Sequence, residues 1–554
     1  MPLRHTYLEW KRLKLRRFLA ATRRGHRVQQ RVLRQLLARN AGSDFGRQHR
    51  FADIRSVTDF QHQVPISDYE YFRPYIQRVL EGDVAALFGP GTRILMFAMT
   101  SGTTGQPKYL PVTAEFFRNY KAGWHLWGTG VFVDHRTLIG CKALQLASDW
   151  RQYTAPSGVP CGNISGLAAE TRPLISRMIF FLPSDLIRIH DAAAKHYATL
   201  RIGLAKSKIG LLVTANPSTL VEFSRRADQE KESLIRDIHD GTLAADHAVP
   251  VDVRAALRPW LKRQPRRARE LERLVARAGR LHLRDAWPQL SLISVWTGGS
   301  VGVYLPQLKQ HYGETALRDH GLSASEGRMT LPIADDTSAG LLVYHHQFFE
   351  FIPEEEHDSA QPTVLEAHQL EEGHNYFILL TTAGGLYRYD IHDVVRCVGF
   401  HGEVPLLQFL NKGKNFSSVT GEKLSEHQVV EAVTNGFSQL RLPVTAFTVA
   451  PVMEDRPRYV LLIESVEDIQ GRRELAAVVQ KNLENLNWEY AEKCTSGRLH
   501  PLRVEEVPAG TWTAMRHQKT SERGNFEEYK HPCLTSDLQF VGRTTGKARP
   551  AIAG

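Results

Sequence analysis

The stretch MTSGTTGQPKYLP, residues 99–111, is a polar loop that directly follows the apolar run RILMFAM, residues 93–99. An apolar run of this length before a turn predicts a buried strand. The loop holds the small and hydroxyl-bearing residues that close approach to a phosphate group requires: Thr100, Ser101, Gly102, Thr103, Thr104 and Gly105. Lys108 adds a positive charge. The spacing is not that of a Walker loop, so the stretch alone fits either a phosphate-binding loop or a polar turn.

Length and composition limit the class of protein. A chain of 554 residues is too long for one core, so we expect two or more domains. No window approaches 18 consecutive apolar residues, which predicts no membrane span. Five cysteines are scattered and never spaced as C-x-x-C, which argues against a disulfide framework or a zinc ribbon. They favour a reducing compartment, and we expect a cytoplasmic protein.

The positive charge of the chain is local. The net charge is +11, but residues 1–50 hold 14 Lys/Arg against two acids, so the rest of the chain is close to neutral. This distribution predicts a basic N-terminal arm rather than a nucleic-acid-binding domain. A stripe of Val32, Leu33, Leu36 and Leu37 predicts a folded helix within the arm. Two interpretations stay open: a solvated helical face, or a surface for an anionic partner or for targeting.

The predicted secondary structure changes along the chain. Short helices are predicted for 51–95, and helical patterns dominate 185–285, including an amphipathic basic helix at 266–280. From residue 288 the sequence becomes β-rich. We therefore predict a large domain, 1–412, a polar hinge, 413–426, and a small α+β lid, 427–554, in which helices and strands alternate.

Two further stretches carry candidate chemistry. In GLSASEGRM (321–329), Glu326 follows a small-residue turn and could hold Mg²⁺, although a surface glutamate after a turn fits as well. In GLYRYDIHDVV (385–395), Asp390 and Asp393 could accept hydrogen bonds from ribose hydroxyls, and Arg388 could pair with a phosphate. Strand residues with a buried ion pair are the alternative there.

The order of these three stretches resembles the nucleotide motifs of the adenylate-forming superfamily, which includes acyl-CoA synthetases and luciferase. More narrowly, the chain resembles the auxin-responsive promoter family of acyl-acid amido synthetases, from about residue 30 to about residue 540. The narrower resemblance rests on VPISDYEYFRPYI, ANPSTLVEF, VWTGGSVGVYLPQLKQHYG, FFEFIP, YRYDIHDVV and VTGEKLSE. It implies an α/β (mixed α+β) fold. The large domain would contain β-barrel and β-sheet subdomains flanked by helices, and the small lid would be mobile.

The resemblance also implies roles for individual residues. Residues 100–105 and Lys108 would bind the β- and γ-phosphates of ATP, and Glu326 would hold Mg²⁺. Asp393 would bind the ribose with support from Arg388, and Lys530 would arrive on the lid to stabilise the adenylate. The remaining implied contacts are to the nucleotide, from Leu322, Ser323, Ala324, Ser325 and Gly299, and to the acyl groove, from Ser165, Thr297 and Gly298.

The chain departs from the family's motifs at three places. Leu322 occupies the place of an aromatic residue that often stacks on adenine. His392 stands where the third motif usually has glycine, and it would tolerate a positive φ less well. After Lys530, His531-Pro532-Cys533 replaces Thr-Pro-Arg, so an arginine is lost.

The resemblance implies a monomeric ligase that uses ATP and Mg²⁺. It would activate a carboxylic acid as acyl-AMP and then transfer the acyl group to an amine, most simply that of an amino acid. Two alternatives stay open: a thioester ligase that uses coenzyme A, and an impaired family member that binds a nucleotide or a partner. The adjacent His345 and His346 suggest no metal site, because neighbours in a predicted strand point to opposite faces.

Overall fold

The structure is a computed structural model and describes residues 2–101, 107–146, 149–172, 174–413, 416–420, 422, 424–443, 446–454, 456–464, 469–495, 498–523 and 530–546. The chain forms two compact units. The first comprises Met1–Ala215, Glu222–Trp296 and Glu314–Phe409, and the second comprises Asn216–Val221, Thr297–Gly313 and Leu410–Gly554. Among the described residues, no helix combines the length and apolar character that crossing a bilayer requires.

The helices are the following: α1 Pro2–Ala21, α2 Gly25–Asn40, α3 Asp44–Gln48, α4 Val57–Gln63, α5 Tyr69–Leu80, α6 Ala114–Asp134, α7 Ile164–Glu170, α8 Leu174–Ile179, α9 Ala192–Leu204, α10 Pro217–Gln229, α11 Lys231–Asp240, α12 Val251–Leu257, α13 Pro265–Ala278, α14 Leu283–Ala286, α15 Leu305–Tyr312, α16 Glu426–Gln439, α17 Ile469–Leu486, α18 Trp488–Thr495, α19 Thr511–Arg523 and α20 Phe540–Thr545. Short 3₁₀ helices, including Gly299–Tyr304 and Ala367–Gln369, connect several elements.

The strands are the following: β1 Ile94–Ser101, β2 Pro107–Thr113, β3 Lys142–Gln145, β4 Tyr153–Thr154, β5 Pro160–Gly162, β6 Ile209–Val213, β7 Leu292–Ser294, β8 Ala316–Arg318, β9 Thr330–Leu331, β10 Gly340–Leu342, β11 Phe348–Pro353, β12 Leu365–Glu366, β13 Asn375–Thr381, β14 Tyr389–His401, β15 Val404–Lys412, β16 Phe416–Ser417, β17 Leu424–Ser425, β18 Phe447–Val452, β19 Arg458–Glu464 and β20 His500–Val507.

Three sheets form the framework of the first unit. A parallel sheet has the order β3-β6-β7-β8, and a mixed sheet has the order β2-β1-β5-β4. The largest sheet has the order β12-β11-β13-β14-β15-β10-β9. The second unit contains the sheet β18-β19-β20 and the pair β16-β17. Ligands of open parallel sheets gather at the carboxyl ends of the strands, and in this chain the GLSASEGRM stretch follows β8.

The basic arm is folded, as its helical stripe predicts. Val32, Leu33, Leu36 and Leu37 are all buried in α2. The start of α2 lies against the turn between β14 and β15, because the backbone N–H of Glu403 donates to the carbonyl of Thr22 at 2.9 Å. A Cβ atom on Gly25 would lie only 2.5 Å from Val404, so glycine permits this close approach.

Three sequence-based predictions differ from the structure. His345 and His346 lie in a turn between β10 and β11, not in a strand, and their ring centroids are 3.8 Å apart. The prediction of opposite faces is therefore wrong. Apolar residues lie on both sides of the turn, so the sequence pattern is that of one continuous strand. Within 427–554, helices and strands do not alternate strictly: β18 is followed directly by β19, its antiparallel partner. The buried strand β6 also interrupts the predicted helical region 185–285. Both faces of this strand are covered, so its apolar residues show no alternation from which a strand could have been predicted.

The boundary between Phe409 and Leu410 lies near the predicted end of the large domain. The second unit also includes two short segments, Asn216–Val221 and Thr297–Gly313, from the middle of the chain. The hinge at 413–426 stays a prediction, and Lys414, Asn415, Gly421 and Lys423 lie outside the described residues.

Candidate active site

The first candidate stretch includes the ends of two antiparallel strands. Strand β1 pairs with β2, with Thr100 opposite Lys108 and Ser101 opposite Pro107. The predicted phosphate contacts Gly102, Thr103, Thr104 and Gly105 lie outside the described residues. The strand pair therefore fixes the two ends of the loop and the position of Lys108.

Lys108 packs over an aromatic ring. Its Nζ lies 5.1 Å from the ring centroid of Tyr69, in the first turn of α5. The Tyr69 hydroxyl accepts a hydrogen bond from the backbone N–H of Tyr109 at 3.0 Å. Burial raises the pKa of Tyr69, so the ring remains a neutral phenol. A cation over the face of a phenol ring is held electrostatically, which orients the lysine without neutralising it.

The segment that begins α5 also pairs with the third candidate stretch. Ser67 forms a parallel bridge with Tyr389: the N–H of Asp390 donates to the carbonyl of Ser67 at 2.8 Å. The N–H of Ser67 donates to the carbonyl of Arg388 at 3.2 Å. Because Tyr69 lies two residues later, one short segment positions both Lys108 and the third stretch.

Arg388 is engaged within the protein. It has a φ of 46° and is buried, and its Nε lies 3.1 Å from Oε2 of Glu350 in β11. Its Nη1 donates to the carbonyls of Gln61 and Val64, both at 2.8 Å. Burial raises the pKa of Glu350, although Arg388 and Gln61 act to lower it. The buried ion pair that the sequence left open is therefore present, and the guanidinium fixes the backbone before Asp393.

A bulge shapes β14 next to Asp393. Phe377 pairs with Val394 and Leu379 pairs with Asp390, so three residues of β14 lie opposite one residue of β13. His392, in the middle of the bulge, has a φ of 57°. This confirms that the position needs a left-handed backbone conformation, which favours glycine. Bulges redirect side chains next to functional sites, and Asp393 is the last residue of this one, at 3% exposure.

Asp390 holds two imidazole rings. Its Oδ2 lies 2.7 Å from Nε2 of His357 and 3.1 Å from Nδ1 of His392. Burial acts to raise the pKa of Asp390, but the hydrogen bonds and charges of the two histidines outweigh it and lower the pKa. The hydrogen bond to Asp390 in turn raises the pKa of His357, against the effect of burial. Of the two aspartates that the sequence offered for the ribose, Asp390 is therefore already bound by side chains.

The second candidate stretch is a tight hairpin after β8. The N–H of Ala324 donates to the carbonyl of Gly327 at 2.8 Å, which leaves Ser325 and Glu326 at the turn. The backbone N–H of Leu322 donates to Oγ1 of Thr330 at 2.8 Å, and Ser323 bridges to Arg328. Residues 322–326 are therefore held in one fixed turn.

Glu326 is buried and lies close to the third stretch. Its exposure is 7%. Burial is the main cause that raises the pKa of Tyr389, and the negative charge of Glu326 is the next largest cause. The Glu326 carboxylate therefore acts electrostatically on the residue that pairs with Ser67, which relates the second stretch to the third within the first unit.

Ser165 is the second residue of α7, three positions after the end of β5. Its N–H donates to Oδ1 of Asn163 at 3.0 Å. Strand β5 runs parallel to β1, with Phe97 opposite Cys161. The carboxyl ends of β5 and β1 therefore lie at the same edge of the sheet, so Ser165 comes shortly after the edge at which β1 leads into the polar loop.

The other predicted residues lie in the second unit. Thr297 and Gly298 precede the 3₁₀ helix Gly299–Tyr304, and Gly299 has a φ of 65°. Lys530 is exposed, and the residues after it are fixed on β18. Nε2 of the buried His531 lies 3.0 Å from the carbonyl oxygen of Phe447, and the N–H of Val449 donates to the carbonyl of Cys533 at 2.8 Å.

Family comparison decides what kind of chain this is. The GH3 family N-terminal domain matches residues 14–317, more than half of the chain. The GH3 family central domain matches residues 340–412, and the GH3 family C-terminal domain matches residues 427–539. The chain belongs to the GH3 family.

Relatives of this GH3 protein are similar over most of their length. It is 26% identical to jasmonoyl-L-amino acid synthetase JAR4 of Nicotiana attenuata, over 81% of this chain and 80% of the relative. It is 27% identical to a probable indole-3-acetic acid-amido synthetase, GH3.4, of Oryza sativa subsp. japonica, over 94% of this chain and 88% of the relative. The solved structure of GH3.15 acyl acid amido synthetase matches with a TM-score of 0.85, at 20% identity, over 96% of this chain and 95% of that chain. The predicted α/β fold is confirmed.

Arg328 is a residue of this GH3 protein that the sequence analysis missed. It is 2% exposed, and its guanidinium lies 4.4 Å from the ring centroid of Trp124 in α6. Nη2 donates to the carbonyl of His320 at 2.5 Å, while Nε and Nη1 have no hydrogen-bond partner among the described residues, and the charge of Asp319 acts on the guanidinium. Burial lowers the pKa of Arg328 to about 10. A buried guanidinium with unsatisfied donors would accept an anionic ligand, and its only signal in the sequence is its place two residues after Glu326.

Proposed function

We propose that this GH3 protein is an ATP-dependent acyl-acid amido synthetase. The observation that carries the proposal is the segment from Ser67 to Tyr69, which positions Lys108 on one side and pairs with the YRYD backbone on the other. The charge of Glu326 acts on the same YRYD stretch. A phosphate-binding cation, a metal-binding carboxylate and a ribose-binding carboxylate are what adenylation requires, and family membership supports this assignment.

The first half-reaction would form the acyl-adenylate. A carboxylate oxygen attacks the α-phosphorus of ATP, and the bond to pyrophosphate breaks. Lys108 and the loop 100–105 would neutralise the β- and γ-phosphates, and Asp393 would accept from the ribose hydroxyls. Arg388 would support Asp393 by fixing the backbone before the bulge. Ser323, Ala324, Ser325 and Gly299 would line the nucleotide, with Leu322 packing against adenine in place of an aromatic ring.

Magnesium fits the residues present. Glu326 offers the hard oxygen ligand that Mg²⁺ prefers, in a turn whose backbone hydrogen bonds fix it. When bound, Mg²⁺ would supply charge neutralisation at the phosphates. Its binding would also offset the cost of keeping a carboxylate buried next to Tyr389.

The second half-reaction would form the amide. An amine nitrogen attacks the acyl carbonyl, AMP leaves, and the nitrogen loses a proton. The relatives' names support an amino acid as the amine and an acid with an apolar ring or chain. Ser165, Thr297 and Gly298 would line the acyl groove, and Arg328 would pair with the acid's carboxylate before it is activated.

Lys530 would contribute a charge that is needed only during adenylation. His531 and Cys533, which follow it, are buried and hydrogen-bonded to β18, so its backbone position within the second unit is fixed on that side. We propose that 427–554 acts as a lid around a hinge at 413–426, which brings Lys530 to the adenylate. A monomeric state and a cytoplasmic location remain part of this proposal.

Exchange of labelled pyrophosphate into ATP tests the first half-reaction. A panel of indolyl, aryl and fatty acids should support exchange, and Lys108→Ala should reduce it at least about 100-fold. Lys121→Ala is the matched control, because Lys121 also packs over an aromatic ring, 4.6 Å from the Phe117 centroid, but outside the proposed site. No exchange with any acid, or equal losses in both variants, would exclude the assignment.

Two further variants separate the remaining roles. Asp393→Ala should weaken ATP binding; unchanged affinity would show that the ribose assignment is misplaced. Lys530→Ala should slow adenylation but leave the transfer from a supplied acyl-adenylate unchanged. Equal slowing of both steps would contradict the proposed role of the lid lysine.

A thioester ligase would share the first half-reaction. The mass of the product distinguishes the two when coenzyme A and a mixture of amino acids are supplied together. An impaired family member is the other candidate, and the left-handed conformation of His392 favours it. That candidate predicts ATP binding without pyrophosphate release.

A further inference from the structure

Three side chains able to ligate a metal ion meet beside the basic arm. They are His26, Glu366 and His368, and one nitrogen or oxygen atom of each lies within 4.8 Å of the other two. His26 is in the first turn of α2, and the other two residues flank Ala367 at the end of β12. All three belong to the first unit, and none has a role in the proposed reaction.

The geometry leaves polar atoms unsatisfied. Nδ1 of His26 and Oε2 of Glu366 lie 3.3 Å apart, and both atoms are buried. Neither has a hydrogen-bond partner among the residues that the structure describes. The rings of His26 and His368 are 4.1 Å apart, tilted by 55°. Buried polar atoms are nearly always satisfied in proteins, and one cation would satisfy both of these.

The charges of the cluster also favour a cation. The negative charges of Glu366 and Glu403 both act on the His368 ring. Glu403, in the turn before β15, accepts the backbone N–H of His26 at 3.1 Å, and its charge also acts on His368. Glu366 within the cluster and Glu403 beside it thus place two carboxylates near the imidazoles.

The cluster has room for a further ligand, and a neighbouring residue can orient the His26 ring. A cavity of about 10 Å³ adjoins the cluster and the buried Gln29, which is room for about one water molecule as a further ligand. The side-chain amide of Gln30 lies 3.0 Å from Nε2 of His26. With its oxygen turned to that nitrogen, the amide would accept the Nε2 proton and leave Nδ1 for a metal, as outer partners of metal-bound histidines do.

In a second group of similar composition, the atoms that face one another are already paired. Among the described residues, His357, Asp390 and His392 also lie within metal-ligand distance of one another. Oδ2 of Asp390 already has both imidazoles at hydrogen-bonding distance, 2.7 and 3.1 Å. The facing atoms of that group are therefore paired without an ion.

We propose that His26, Glu366 and His368 form a binding site for Zn²⁺ that ties α2 of the basic arm to the sheet. Two imidazoles and a carboxylate form a set of ligands that favours Zn²⁺ over Mg²⁺ or Ca²⁺. With a water in the fourth position, the set would be tetrahedral. The ion would stabilise the attachment of the arm and take no part in the reaction.

Calorimetric titration of the full chain, prepared without a histidine tag, tests the site. Zn²⁺ should bind with one ion per chain, and Mg²⁺ should not replace it. His368→Ala, a change at an exposed residue, should weaken the binding at least about tenfold. Glu366→Gln should do the same while keeping the acceptor for the N–H of Gln369. His374→Ala is the matched control, since this exposed histidine lies 3.8 Å from Glu371 outside the cluster.

Hydrogen exchange locates the effect. Zn²⁺ should slow exchange in peptides covering 25–40 in the wild type but not in His368→Ala. Three results would overturn the proposal: no binding of Zn²⁺, binding that neither variant weakens, and binding that is lost in His357→Ala instead. The last would assign the ion to the second group.

Discussion

Replacing His392 should reverse the usual order of alanine and glycine. A residue other than glycine in the left-handed conformation costs about 1–2 kcal/mol, and alanine at this position keeps that cost. Glycine removes it but loses about 0.5–1 kcal/mol through the greater freedom of the unfolded chain. Both variants lose the contact with Asp390 equally. His392→Gly should therefore be more stable than His392→Ala by about 0.5–1 kcal/mol, the net of these two estimates.

The comparison needs an ordinary position as its control. Phe400 lies in the same strand, is 38% exposed and has no positive φ. There, alanine should be more stable than glycine by the usual ~0.4–1 kcal/mol. Urea denaturation gives the stabilities, and hydrogen exchange of peptides from β13 and β14 shows that the change is local. If His392→Ala matches or exceeds His392→Gly, the left-handed strain does not exist and the account of the bulge is wrong.

Three other predictions concern buried charges. Asp390 raises the pKa of His357 in the folded state. The stabilising contribution of His357 is therefore complete below about pH 6.5, its pKa in the unfolded chain, and is lost as the pH rises through the folded pKa. Raising the pH should therefore destabilise the wild type more than His357→Gln. Arg388→Met or Glu350→Leu alone should cost about 3–5 kcal/mol in denaturation, and the double variant should recover part of the loss; additive losses would contradict a buried pair. Arg328→Met should raise the thermal midpoint, since a buried guanidinium with unsatisfied donors costs free energy, but raise KM for the acid in pyrophosphate exchange; an unchanged KM would remove Arg328 from the acid site.

Local patterns in the sequence predicted local structure well. The apolar run 93–99 is strand β1, and the stripe from Val32 to Leu37 is the buried face of α2. The positive φ of His392 agrees with the glycine that the family usually has at that place. Each of these depends on residues that are close together in the chain, so the sequence contains the necessary information.

Contacts between distant segments could not be predicted in the same way. Nothing in VPISDYEYF indicates that Ser67 will pair with Tyr389 or that Tyr69 will lie under Lys108. Arg328 would be placed on the surface by residue type, and it is buried only because Trp124 and His320 cover it. The unsatisfied atoms of His26 and Glu366 likewise arise only when α2 meets the end of β12.

The discontinuous second unit has a consequence for synthesis of the chain. Tyr304, from the 3₁₀ helix Gly299–Tyr304, packs against the apolar core formed by residues beyond 423. During synthesis, this segment leaves the ribosome long before its packing partners. Its apolar side chains therefore stay exposed to solvent until the C-terminal residues have been made. For the same reason, a fragment beginning at Leu410 would expose part of its core, and co-expression with a peptide covering 297–313 should restore its solubility.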